Sequence, residues 1–431
     1  MLNIIEPFLR VPDLEKAVTE LINRRAYTEA CDLISGMVIE ICNDNEYIGK
    51  QIYLPYFDQL VERIGKELTA NKINTATSHA GHYPVIVATE LYFDGGHTRI
   101  VEELIRTFGG GIVILTNYFG GSGRNDNTIP QAIRDLNTLV LPKDTAANNI
   151  IRLHSICTQL ASDVYHMAHH HDVVANAALS SPMSAPVFFI HHSDHKASLG
   201  ATTRSYVHVD GGRHMHKFCS SFLNREVEYW PQGVFDRGVK EFTYPPEEIY
   251  SASSGVWNKF NWEGELAYPD MIATILNSGV SRHYHIGSLP EDKVELIRHK
   301  LSVHSISTDR FSCTGVVHSL WQCLLDLNIY LFVGSAPIHG LRTAIEVQGA
   351  GIPLIPFRQD DNSLMKEGSF YNKDAPLWST LDELSMNIKT TIADHARLAS
   401  SARECYENEF SPSLWADAIN KAKDKYRRPH E

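Results

Sequence analysis

The sequence predicts an α/β protein: two doubly wound domains facing each other across a cleft, behind a helical N-terminal segment. Three observations carry this. A chain of 431 residues exceeds what one ordinary core fills. Short β-branched runs alternate with helix-length segments, and the rhythm pauses at a polar, aromatic-bearing stretch from about 222 to 246 before starting again. Strands that are apolar without alternation, separated by helices, imply parallel pairing with both faces covered.

Residues 1–70 read as helix, because AVTELINRRAYTEACDLISGMVIEIC and YFDQLVERIGKEL repeat apolar positions at three- and four-residue spacing. Strands are expected at 84–89, 111–116, 138–142, 163–168, 185–190 and 205–209 in a first domain spanning 71–240. In a second domain, 241–400, they are expected at 248–254, 282–287, 310–315, 329–334 and 352–357, with helices at about 266–277, 291–302, 316–326 and 341–349. A polar helical segment closes the chain, and its last part, 401–431, is expected to cross back to the first domain.

Lys plus Arg is 39 against 51 for Asp plus Glu, a formal charge of -12, which opposes nucleic acid as a partner. Seven cysteines, odd in number and scattered, with no C-x-x-C pair, suggest neither a disulfide framework nor a zinc knuckle and point to the cytoplasm. The opening residues lack a signal-peptide core, and no later run is long and apolar enough for a membrane span.

In open α/β sheets ligands sit beyond the carboxyl ends of the strands. In IYLFVGSAPIHGLRTAIEVQGAGIP (329–353) a buried strand ends at Gly334, a loop with Pro337, His339 and Gly340 follows, and a helix begins at Leu341. Its first amides and its dipole favour a phosphate, with Arg342 and Thr343 adding donors and Glu346, one turn on, placed to receive ribose hydroxyls. Arg342 and Glu346 are equally an i, i+4 ion pair. In ELYFDGGHTRIVEELIRTF (90–108), Gly95 and Gly96 allow close backbone approach to a ligand, with His97 beside them, although paired glycines also serve any tight turn. Lys259 follows the first strand of the second domain and suits a leaving diphosphate.

FFIHHSDHKASLG (188–200) places His191, His192, Asp194 and His195 on a loop at the carboxyl edge of the first sheet. One imidazole oriented by Asp194 can take a proton from an attacking hydroxyl. Metallo-β-lactamase-type hydrolases carry H-x-H-x-D-H after a strand, but Ile190 stands where the first histidine belongs, so a preformed dinuclear site is not expected. HHHDVVANAAL (169–179) is a similar strand-to-helix junction, with Asp172 the expected helix cap.

These segments resemble glycosyltransferases of the GT-B type, with two Rossmann-like domains. FFIHHSDHKASLG is similar to the N-H-A-D-H-x-F-x-L-G stretch of a bacterial group, and HHHDVVANAAL to the H-P-x-D-x-x-A-x-x-A-L stretch that precedes it there. More distantly, the second half resembles protein O-GlcNAc transferases, with Lys259 and GLRT (340–343) at the places that hold the donor diphosphate. The resemblance implies a nucleotide-diphosphate sugar as co-substrate, expected to be UDP-linked, and no bound metal. The donor set is then Gly95, Gly96, His97, Lys259, His339, Gly340, Arg342, Thr343 and Glu346. The catalytic set is His191, His192, Asp194 and His195.

A retaining mechanism with two glutamates would need an acid at 338, where the chain has Ile338, so inversion with His191 or His195 as base is favoured. The expected acceptor is a saccharide, a lipid-linked carrier, a protein or a small molecule, and self-association into a homo-oligomer stays open. The competing readings are a metal-dependent hydrolase built on the histidines and a non-catalytic sugar-nucleotide-binding protein.

Overall fold

The computed structural model describes residues 12–44, 47, 53–70, 82–92, 96–118, 137–192, 196–241, 246–338, 340–358 and 370–426. The chain forms two compact units: the first runs to residue 231 and takes in the chain from 416 onward, and the second holds most of 232–415.

The first unit is built on a seven-stranded sheet in the order β3-β2-β1-β4-β5-β6-β7. Its strands are β1 (Tyr83–Ala88), β2 (Ile112–Leu115), β3 (Asn137–Val140), β4 (Ala161–His166), β5 (Val187–His191), β6 (Val207–Asp210) and β7 (Glu228–Tyr229), and all pairs are parallel. Every residue of β2 and β5 is buried, as a strand covered on both faces requires. The two-residue β7 carries too little apolar sequence to be read as a strand in advance.

The N-terminal helices Pro12–Asn23, Tyr27–Asn43 and Pro55–Thr69 belong to this core through Val18, Ile34, Val38, Phe57 and Ile64. Gly65 makes that packing possible, since a methyl group there would lie 2.0 Å from the carbonyl oxygen of Ala177 on helix Val173–Ser180. Asp58, wholly buried on the same helical segment, accepts from the amides of Gly200 (2.6 Å) and Thr202 (2.9 Å), fixing the loop that returns from β5. Burial pushes the Asp58 carboxyl up to about 6 against those bonds. At the other end of the chain, Lys423 pairs with Asp163 at 3.3 Å and Tyr426 bonds Glu228 at 3.0 Å, which ties the last helix, Pro412–Tyr426, to this unit.

The second unit repeats the pattern with five parallel strands in the order β10-β9-β8-β11-β12: β8 (Tyr250–Ser254), β9 (Arg282–Ile286), β10 (Phe311–Gly315), β11 (Leu331–Val333) and β12 (Leu354–Ile355). The period of two along β11 sends Leu331 and Val333 into one apolar layer with Ile272 and Ile297, and Phe332 into the opposite one with Trp321 and Ile345. Helix Leu320–Asp326 begins later than the sequence pattern suggests, because Ser319 takes the N-cap and accepts from the Gln322 amide. Among the described residues, no helix is long and apolar enough to cross a membrane.

Candidate active site

Both sheets reverse direction between their first and fourth strands in chain order, β1 and β4 in one unit and β8 and β11 in the other. A doubly wound sheet opens a crevice at that point, at the carboxyl ends of the strands.

In the second unit, β8 leads through Gly255 into the 3₁₀ turn Trp257–Lys259, and β11 leads to helix Leu341–Gly349. The two connections are sewn together: the Asn261 amide donates to the Ala336 carbonyl at 3.1 Å, and the Ile338 amide to the Lys259 carbonyl at 3.4 Å. Gly340 is the N-cap, and among the described residues no side-chain bond caps the helix. A methyl group on Gly340 would lie 2.9 Å from Thr343 Oγ1 and 3.4 Å from Lys259 Nζ. The backbone at Gly340 is therefore closely approached by an ammonium and a hydroxyl at the opening turn of a helix. Uncapped first-turn amides, the positive end of the helix dipole and a lysine are what a phosphate needs.

The Lys259 turn is held from below. His285 Nε2 donates to the Gly255 carbonyl at 3.0 Å, which leaves Nδ1 to accept from Tyr268 Oη at 2.8 Å. Burial lowers the His285 pKa to about 4, so the ring stays neutral and the tautomer is fixed. Gly287, at φ +143°, lets the next loop come close, since a methyl group there would sit 2.3 Å from the Gly255 carbonyl oxygen. Tyr268, His285 and Gly287 escaped the sequence reading. The only cue was a strand, RHYHIG, carrying polar rings at alternate positions.

Arg342 Nε donates to Glu346 Oε1 at 2.6 Å, and Glu346 Oε2 accepts from the Trp321 amide at 2.9 Å. The i, i+4 pair weighed from the sequence is thus present. Glu346 is buried and tied to the start of the neighbouring helix. His339 lies outside the described residues.

In the first unit the crevice is floored by Asp172, the N-cap of helix Val173–Ser180. Its carboxylate accepts from the Ala175 amide at 2.9 Å, from Thr89 Oγ1 at 2.7 Å and from Thr116 Oγ1, gathering the ends of β1 and β2 at one buried charge. Burial raises its pKa, and these bonds oppose the rise. Thr89 Oγ1 in turn accepts from the His169 amide at 2.8 Å.

Above this floor stand three imidazoles. The His97 ring, on helix Gly96–Phe108, lies 5.1 Å from that of His169 and 5.0 Å from that of His192. His97 Nε2 bonds the Met167 carbonyl. His192 Nδ1 bonds the Ile190 carbonyl at 3.1 Å. A carbonyl only accepts, so His192 carries its proton on Nδ1 and presents a lone pair at Nε2. Burial lowers the pKa of both rings, that of His192 strongly, with His97 beside it adding to the shift.

His191, one residue earlier, points the other way. Its side chain has no exposure, and Nδ1 sits 3.0 Å from Asp210 Oδ1. The structure thus separates two neighbours that the sequence reading grouped. Asp194, His195 and Gly95 lie outside the described residues.

No protein-family model matches the chain, and no curated protein matches it. Solved structures do. A lipopolysaccharide outer core galactosyltransferase, WaaB, in its apo form, aligns over 79% of this chain and 99% of its own at 12% identity and TM-score 0.57. HepE of Anabaena, solved with UDP and glucose, aligns over 80% and 100% at 13% identity and TM-score 0.57. A mutant O-GlcNAc transferase of Thermobaculum terrenum aligns over 96% of this chain and 81% of its own at 14% identity and TM-score 0.55. The fold is of the GT-B type. The likeness extends over both units and, with the last of these structures, over nearly the whole chain.

Proposed function

We propose that this chain is a glycosyltransferase that moves a sugar from a nucleotide-diphosphate sugar to an acceptor hydroxyl. The observation that carries the reading is the placement of Lys259 Nζ beside Gly340, at the uncapped start of helix Leu341–Gly349 and at the switch point of the second sheet. In this reading the second unit holds the donor diphosphate. When the bond from the sugar C1 to the diphosphate oxygen breaks, negative charge grows on the leaving group, and Lys259 and the first-turn amides stabilise it. Thr343 and Arg342 add donors. UDP is the favoured nucleotide, consistent with the UDP complex of HepE.

The first unit takes the acceptor. The acceptor hydroxyl gives its proton to a histidine as its oxygen bonds to C1, and His192 is the described residue best suited, with a half-buried ring and a lone pair at Nε2 set by the Ile190 carbonyl. His195, Asp194, Gly95 and His339 stay in the proposed site on sequence grounds alone. The fold favours this reading over a metal-dependent hydrolase or a non-catalytic binding protein.

A thermal-shift screen of uridine, guanosine, cytidine and thymidine diphosphates tests the donor half, because a ligand that binds only the folded chain raises its melting temperature. Stabilisation by one of them, uridine diphosphate first, is expected. No shift with any of the four would contradict the assignment.

A further inference from the structure

We propose that the first unit contains a buried structural metal site, made by His191, His208, Asp210 and Cys219, that takes one divalent ion of the zinc class. The inference is independent of the transferase reading, and it uses different atoms from the half-buried cluster of His97, His169 and His192.

The chain brings these four together by simple topology. Parallel register sets His191 at the end of β5 opposite Asp210 on β6. His208, two residues before Asp210, shares its face of the sheet. Cys219 comes from helix Arg213–Leu223, which leaves β6 directly. One donor atom from each lies within 4.8 Å of all the others. The separations are 3.0 Å from His191 Nδ1 to Asp210 Oδ1, 3.5 Å from His208 Nε2 to Asp210 Oδ1 and 3.7 Å from Cys219 Sγ to His191 Nδ1. Tetrahedral zinc with its usual bond lengths sets ligand atoms roughly 3.2–3.8 Å apart.

Hydrogen bonding around the cluster points the same way. His208 Nδ1 lies 3.1 Å from the Ala201 carbonyl, so Nδ1 carries the proton and Nε2 presents a lone pair. Among the described residues that lone pair finds no hydrogen bond of normal geometry; it lies on a fully buried ring and faces a carboxylate oxygen 3.5 Å away. Two acceptors set against each other in a dry interior need a proton or a metal ion between them, and the thiol and second imidazole beside them suit a metal ion. Asp210 Oδ2 is likewise buried with no hydrogen-bond partner among the described residues. One carboxylate and one thiolate balance a divalent charge, and two imidazoles complete the set of four. A second layer is in place: the Ala201 carbonyl orients His208, and Tyr53 Oη donates to Cys219 Sγ at 3.0 Å.

The side chains of His191, His208 and Asp210 have no solvent exposure, so no coordination position opens to a substrate. A closed set of four protein ligands is a structural site. It would clamp β5, β6 and the following helix at the root of the loop that carries His192.

The test is cobalt(II), added to the metal-stripped full-length chain. One equivalent is expected to bind, giving the visible bands of tetrahedral cobalt and a thiolate-to-cobalt charge-transfer band. Cys219→Ser should abolish the charge-transfer band, while Cys323→Ser, on a helix of the second unit, should keep it. Tyr53→Phe should bind cobalt roughly 10-fold more weakly. Should Cys219→Ser fail to fold, the wild-type spectrum and stoichiometry decide alone. Failure of the wild type to bind, octahedral bands without charge transfer, or a His208 imidazolium in metal-free protein that ignores added cobalt would each overturn the site.

Discussion

The two sheets share a winding order, with β3-β2-β1-β4-β5 in one and β10-β9-β8-β11-β12 in the other, but the crevices at their switch points carry different chemistry. Around β8 and β11 the chain sets a lysine, a glycine without side-chain bulk and an uncapped helix start. Around β1 and β4 it sets a buried carboxylate that caps a helix, and a group of imidazoles above it. The backbone supplies a crevice twice, and the side chains decide that one suits an anion and the other a proton transfer. Fold and function are therefore separable here.

The largest effect that would sharpen this contrast is expected at His192. His192→Gln should lower turnover by about 10²–10⁴-fold, the usual range for a lost general base, while nucleotide affinity stays within about twofold. A matching loss of nucleotide affinity would erase the division of labour between the crevices. Next comes Gly340→Val, which drives a branched side chain against Thr343 and Lys259 at the helix start. It should weaken nucleoside-diphosphate binding about tenfold or more, with urea unfolding of the first unit unchanged. Full affinity in this variant would place the phosphate elsewhere.

The smallest effect is one that the two units share. Burial depresses the pKa of His97 and His154 and lowers His166 and His171 to about 4 in the first unit, and His285 and His395 to about 4 in the second. Unfolded histidine titrates at about 6.5, so below that pH the unfolded chain binds more protons than the folded one. Stability should be full above about pH 6.5 and fall as the pH drops toward 4, read as a declining urea midpoint. A flat midpoint over that range would mean that these rings are open to solvent.

Much of the architecture was legible because parallel, two-sided burial writes itself as continuous apolar runs. APVFFI and GIVILT announce β5 and β2, and the helix start at Leu341 was visible from the glycine and proline before it. Asp172 as a helix cap was equally readable, since a capping aspartate stands directly before its helix. What could not be read was convergence between distant segments. Nothing in the spacing of Tyr268 and His285 tells that they brace the turn before Lys259. Nor do 191, 208, 210 and 219 form a metal-ligand spacing, because their meeting depends on the register of β5 against β6. The same limit explains why His191 and His192 were read as one group: adjacent residues at a strand end point to opposite sides, and only one of the pair faces the crevice.

The central claim is most directly tested by calorimetric titration of uridine diphosphate into the wild-type chain and Lys259→Ala. A charge-assisted contact contributes about 1.5–3 kcal/mol, so the variant should bind roughly 10–100-fold more weakly with its fold intact. Equal affinity in the two proteins would contradict the account, because the ammonium beside Gly340 would then have no part in holding the donor.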